Sequence, residues 1–281
     1  MATYPSTSVG TAREVIASRL REILRDSGLT SRAVALGAGW DESKCSRLLH
    51  GRTPPSDSDI RTWCTVCGVP EEIPNLIAAS RNAENAYVEW RRVRRSQKRM
   101  QDLGLQLFEA RQYRFYSSNF VLWPLQTPGY MRAVIERFDE FHSGSAPDIA
   151  AAVAARVDRL RFLDDPARRC ALVIEEAVLH SRLFDDEVMT GQLRHMLSMM
   201  GRPNISLGVI PLRARRQQEP TETFHMYDEH TVSIELVSAI VTVTQPSEIA
   251  LYVRCFNDLA QAAVYGGAAR ELISEALAAL G

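Results

Sequence analysis

Apolar and polar positions follow a helical period through the first eighty residues. Val15, Ile16, Leu20, Ile23 and Leu24 form a stripe at three- and four-residue spacing, which predicts a helix from about Thr11 to Asp26, ended by Ser27-Gly28. Ala33, Val34 and Leu36 supply the apolar face of a second helix, opened by Thr30, whose hydroxyl can accept an orphan backbone N–H. Gly37-Ala38-Gly39 breaks the pattern and permits a sharp turn. Asp41 suits the N-cap of a third helix, and Cys45, Leu48 and Leu49 fall on one inward face at i, i+3 and i+4. Gly51 can end that helix in a left-handed conformation. Ser56 or Asp57 starts a fourth helix reaching about Cys67, and a short fifth runs from Glu71 or Pro74 to Ser80. A helix, a three-residue glycine turn and a helix make the layout of a helix-turn-helix, whose second helix enters the DNA major groove.

Residues 81–114 read as one long linking helix, with Val93, Met100, Leu103, Leu107 and Ala110 at a/d-like spacing. That stripe either packs on the C-terminal domain or dimerises. Arg91, Arg92, Arg94, Arg95, Lys98 and Arg99 crowd its first half, as a solvated face or as extra attraction for phosphates or an acidic partner. Beyond it the period is mixed. Helices are predicted over Ala146–Leu163 and Asp185–Met200, and strands over Cys170–Glu175 and Ile205–Leu212. A hairpin over Thr223–Tyr227 and Val232–Val237 turns at Asp228-Glu229-His230. Pro246 can open a helix to about 264, followed by a last helix over 267–280. The expected fold class is α+β and α-rich: a five-helix DNA-binding domain over 10–80, the linking helix over 81–114, and a mixed α/β effector domain over 115–281.

Composition adds three constraints. A chain of 281 residues, 46% hydrophobic, suits two domains with real cores. No apolar run approaches the roughly 20 residues needed to span a bilayer, and no secretory signal opens the sequence, so a cytoplasmic protein is expected. The net charge of −1 hides an asymmetry: residues 1–100 hold 16 Lys and Arg against 11 Asp and Glu (+5), the remainder 17 against 23 (−6). A basic head with an acidic body fits DNA binding by the head alone. The five cysteines are odd in number and scattered, which argues against a disulfide framework. Cys64-Thr-Val-Cys67 lacks a second ligand pair and reads as two core residues, so no metal site is expected.

Base-reading candidates are the outward residues of the third helix: Glu42, Ser43, Lys44, Ser46 and Arg47. Arg47 can bond guanine O6 and N7 together, and Glu42 can accept from cytosine N4. Thr30, Ser31, Arg32 and Arg52 are the phosphate candidates. Glu175, Glu176 and His180 could do acid–base work, but a strand end is also a common place for solvated acids. With no nucleophile elbow, phosphate loop or HExxH, no enzyme and no cofactor is expected. Met189, Met196, Met199 and Met200 pack in the core or line a ligand pocket; Gln126, Thr127 and Tyr130, beside Pro128-Gly129, form a recognition surface or a capped loop.

The first 80 residues resemble the Xre-type helix-turn-helix family through Leu29-Thr30, Ala35, Gly39, Ser46-Arg47 and Gly51, with Arg52 and Pro54 or Pro55 following. The remainder resembles the WhiJ-like actinobacterial regulators, whose C-terminal domain is sometimes called antitoxin-like. The segment Trp123–Ala133 carries that likeness, close to the family's LLQT-x-x-Y-x-R-A signature, as do Ile174–Leu179, Gln192–Leu197 and Arg202–Pro211. The resemblance implies a repressor whose C-terminal domain receives a small partner protein; the docking geometry of a helix-turn-helix leads to the expectation of a palindromic operator on double-stranded DNA, read by a homodimer. Gln126, Thr127, Tyr130 and Arg132 are the partner-binding candidates. An antitoxin-like protein neutralising a small partner, and a repressor sensing a metabolite, are the alternatives.

Overall fold

The computed structural model describes residues 8–82, 87–89, 109–141, 148–218 and 222–280. They fall into two compact units, one drawn from the first 95 residues together with 230–250, the other from 96–229 and 251–281.

The first unit opens with α1 (Ser8–Asp26), α2 (Ser31–Ala38), α3 (Glu42–Leu49), α4 (Asp57–Val66) and α5 (Ile73–Asn82). Their core is Ile16, Leu20, Val34, Cys45, Leu48, Ile60, Trp63 and Leu76, each nearly or fully buried. Sequence periodicity places most of these, with three corrections. Val15, Ala33 and Leu36 face solvent, Leu36 at 85% exposure; the inner face of α2 is Val34-Ala35 instead. Gly37 lies inside α2, where a Cβ would meet Val66 Cγ1 at 3.0 Å, so its small size lets α2 sit against α4. The turn itself needs Gly39, at φ +65°. Asp41 occupies the N-cap of α3 without a capping bond from its side chain.

The long helix predicted over 81–114 is not what forms. Tyr87–Glu89 is a strand, β1, and the sequence from Gln112 belongs to another; Val93, Met100, Leu103, Leu107 and the basic cluster at 91–99 lie outside the described residues. Backbone pairing to distant strands outweighs a helical period that local sequence suggests.

The second unit continues with β2 (Gln112–Ser117), α6 (Pro128–Phe141), α7 (Ile149–Arg159), β3 (Arg169–Glu175), α8 (Glu176–His180), α9 (Asp186–Met199), β4 (Ile205–Ile210) and β5 (Phe224–Tyr227). Its strands run in the order β5-β2-β3-β4. β2, β3 and β4 are parallel, with Tyr113 opposite Cys170 and Cys170 opposite Ile205, while β5 is antiparallel to β2. β3 and β4 read as near-continuous apolar runs, as parallel strands covered on both faces do, while Gln112 and Arg114 interrupt the apolar residues of β2. The helix expected to Leu163 ends at Arg159 and tightens into a 3-10 turn over Leu160–Asp164. Asp228 makes the sharp turn after β5 at φ +49°, its carboxylate accepting from the N–H groups of Arg111 and Gln112.

The chain then returns to the first unit as β6 (Thr231–Glu235) and β7 (Ala239–Val243), giving the order β1-β7-β6 there. Asn82 donates to the Thr242 carbonyl at 2.8 Å, and Asn75 accepts from the Ser247 N–H at 3.1 Å. Ser247 is in the first turn of α10 (Pro246–Ala262), which Pro246 opens as its fixed φ allows. The final helix, α11 (Gly266–Ala278), packs in the second unit's main core through Ala269, Ile273 and Ala276.

Candidate nucleic-acid interface

The candidate interface is built around α3. Its inner face, Cys45, Leu48 and Leu49, is buried, so its roll about its own axis is fixed. The helix before it begins with the expected cap, Thr30 accepting from the Ala33 N–H at 3.1 Å. At its far end the Arg21 guanidinium donates to the Leu49 carbonyl, which satisfies an orphan acceptor of the last turn and ties α3 to α1. Gly51, at φ +63°, turns the chain back so that the Arg52 N–H donates to the Arg47 carbonyl at 2.9 Å. Glu42, Ser43, Ser46 and Arg47 are left exposed on one side, with Arg52 beyond the turn and Thr30, Ser31 and Arg32 exposed at the start of α2.

Three of the predicted residues are already engaged. Lys44 places its ammonium 2.5 Å from Asp59 and 4.2 Å from the centre of the Trp40 ring. Asp59 also closes a capping box with Ser56 at the head of α4. Burial pushes the Asp59 carboxyl up, but the Lys44 ammonium and the Ser56 N–H outweigh it and leave the group below the usual carboxylate range. Asp59 thus braces α3 against α4, a role that reading Lys44 as an outward residue misses; the signal was the Ser56-x-x-Asp59 spacing. Glu42 pairs with Arg32 at 3.2 Å, both strongly exposed.

In the second unit the partner-binding candidates separate. Gln126 and Tyr130 are buried, at 4% and 1% exposure, and form part of the interior instead of a recognition surface. Gln126 donates to the Val121 carbonyl at 2.7 Å, and the Thr127 hydroxyl accepts from the Tyr130 N–H, capping α6. Gln192, fully buried, donates to the Leu125 carbonyl at 2.6 Å and accepts from the Thr127 N–H at 2.8 Å. The LQTP segment is a core knot, and of the four only Arg132 is exposed. Met189, Met196 and Met199 are likewise core.

At the carboxyl ends of the parallel strands, Glu175 is 6% exposed and receives the Tyr116 hydroxyl at 2.8 Å and the Arg216 guanidinium through both nitrogens. Glu176 accepts from the Leu212 N–H at 2.7 Å and stands 3.6 Å from His180. Cys45, Cys64, Cys67 and Cys170 are buried free thiols, and burial pushes Cys64 up to about 11. Among the described residues no group of three metal-ligating side chains converges, and no helix is long and apolar enough to cross a membrane.

Residues 15–76 match the model of a helix-turn-helix domain family, and residues 108–275, more than half of the chain, match the family described as a domain of unknown function, DUF5753. No curated protein matches. Among solved structures, a phospholipase D family member, Nuc from Salmonella typhimurium, is similar at 14% identity and a TM-score of 0.32, over 59% of this chain and 90% of that one. A likeness of that size carries no argument about fold or activity. With α3 exposed as a helix-turn-helix requires, the chain is a DNA-binding transcription regulator, and it belongs to the DUF5753 family.

Proposed function

We propose that this regulator is an Xre-type, WhiJ-like repressor that binds a palindromic operator as a homodimer in the cytoplasm, and that its C-terminal domain receives a small partner protein. The DNA half rests on one observation: α3 buries one face completely and presents Glu42, Ser43, Ser46 and Arg47 on the other. Arg47 reads guanine through its two-pronged guanidinium, Ser43 and Ser46 contact neighbouring base edges, and Glu42 accepts from cytosine. Ser31, Arg32 and Arg52 hold phosphates, and Thr30 keeps its hydroxyl proton for another while its oxygen caps α2. Lys44 acts through Asp59, as a brace. The partner half is supported by the order and spacing of the C-terminal segments that resemble the WhiJ-like regulators. This reading gives the protein no catalysis, cofactor or metal.

Arg47→Ala is expected to cost roughly 1–3 kcal/mol of operator binding and to relax one base preference, whereas Arg52→Ala weakens all duplexes alike and lowers the salt slope by about 1. Selection from random duplexes, followed by titration at several salt concentrations, reads both. An unchanged base preference in the Arg47 variant would place the reading helix elsewhere. For the partner half, the tagged chain is recovered from its native host; a small protein at comparable stoichiometry supports it, and its absence removes it.

A further inference from the structure

Glu175 is an unusual acceptor. It ends β3, a central strand, yet its carboxylate is bound by a side chain from an exposed loop. Arg216 approaches with both terminal nitrogens, one on each carboxylate oxygen, and the Tyr116 hydroxyl donates to Oε1 from the neighbouring strand. A buried carboxylate that offers both oxygens to a guanidinium fork, with a fixed hydroxyl beside it, is a shaped receptor for arginine, because only a planar fork meets both oxygens at once. The residue filling it sits on a segment, 212–218, where Leu212, Arg213, Arg215 and Gln217 are all exposed. Open α/β sheets bind ligands at the carboxyl ends of their parallel strands, which is where Glu175 stands. The unit itself, residues 96–229 and 251–281, holds 19 Lys and Arg against 21 Asp and Glu, a charge of −2, so its overall balance does not oppose a cationic group.

We propose that Glu175 and Tyr116 form a guanidinium-receiving site, occupied in this state by the chain's own Arg216, for which an arginine of a partner protein competes. The identity of the competitor as a protein rests on the partner reading above; the site itself does not. Partner arginine in, Arg216 out, exchanges one forked pair for another at Glu175 and releases the link between Glu175 and the 212–218 segment. Because a tethered side chain acts at an effective concentration in the millimolar range, a free ligand meets strong competition until Arg216 is removed.

The test uses the full chain and Nα-acetyl-L-arginine methylamide as the probe, with the lysine analogue as control, read by calorimetric titration and by the shift in thermal midpoint. Arg216→Ala should bind the arginine probe at least about tenfold more tightly than the unaltered chain and gain a saturable rise in thermal midpoint. The lysine analogue should bind several-fold more weakly, since it lacks the fork. Glu175→Gln combined with Arg216→Ala should lose the response, and that double variant also guards against a fold weakened by an unpaired carboxylate. Equal responses from the single and double variants would overturn the site. If Arg216→Ala takes the probe but the unaltered chain retains no small protein from its host, the site stands and the partner reading fails. If a partner is retained equally by the unaltered chain and by Glu175→Gln, the partner stands and the proposed competition fails.

Discussion

Lys44 shows how one side chain divides between recognition and support. Its ammonium is shared by Asp59 and the Trp40 ring, and Asp59 in turn caps α4. Asp59→Ala removes the pair and the capping box together and should cost about 1–2 kcal/mol of stability, while Lys44→Ala leaves the box intact and should cost less than about 1. Chemical denaturation of the two variants checks the order. In operator titrations Lys44→Ala should lose clearly less affinity than Arg47→Ala; equal losses would mean that Lys44 leaves Asp59 to meet DNA. At this scale the caps and the inner face of α3 were legible, because Thr30, Cys45, Leu48 and Leu49 act within a few residues of themselves. Asp59 is 15 positions from Lys44, and no periodicity connects them. Gln126 and Tyr130 were misread for the same reason, since a polar side chain in a turn looks like a surface until Gln192, more than 60 positions away, is seen to share the buried knot.

Among the elements, that knot has a measurable weight. Gln192 satisfies an acceptor of the segment before α6 and a donor at its cap, both from within α9. Gln192→Leu fills the space but strands the Leu125 carbonyl and the Thr127 N–H, so a loss of roughly 2–4 kcal/mol is expected from two unmet backbone groups. A fall in the urea midpoint reads it; a change below about 1 kcal/mol would show that water replaces the amide. The elements recovered from sequence are those with strong local patterns: α9, α10, β3 and β4 lie within two residues of their predicted bounds. β2 was lost inside a supposed helix because Gln112 and Arg114 interrupt its apolar residues, and only pairing with β3 and β5 makes it a strand. β1 and β7 are short strands that pair with each other, Tyr87 opposite Val241 across 154 positions, so neither announces itself alone.

For the whole molecule, His225 sets an acid limit. It is completely buried against the Phe115 ring, and burial pushes its imidazole down from 6.5 to about 4. Its ring is neutral in the folded chain, so above about pH 6.5 folded and unfolded states bind the same number of protons there and the group has no effect. Below that, the unfolded chain takes up a proton that the folded chain refuses, and stability falls by up to roughly 3 kcal/mol by pH 4. Thermal midpoints from pH 7 to 4 should decline in the unaltered chain and decline less in His225→Phe; parallel curves would assign the acid limit to other groups. The return of the chain to its first unit has a different consequence, for those who would graft this protein. The helix-turn-helix family match stops at residue 76, yet Asn75 and Asn82 find their partners at Ser247 and Thr242. A head excised at the family boundary therefore leaves behind the strands that finish it. In a chimera, the interchangeable cartridge is not the first eighty residues but those residues with 230–250, two pieces that no single cut can carry.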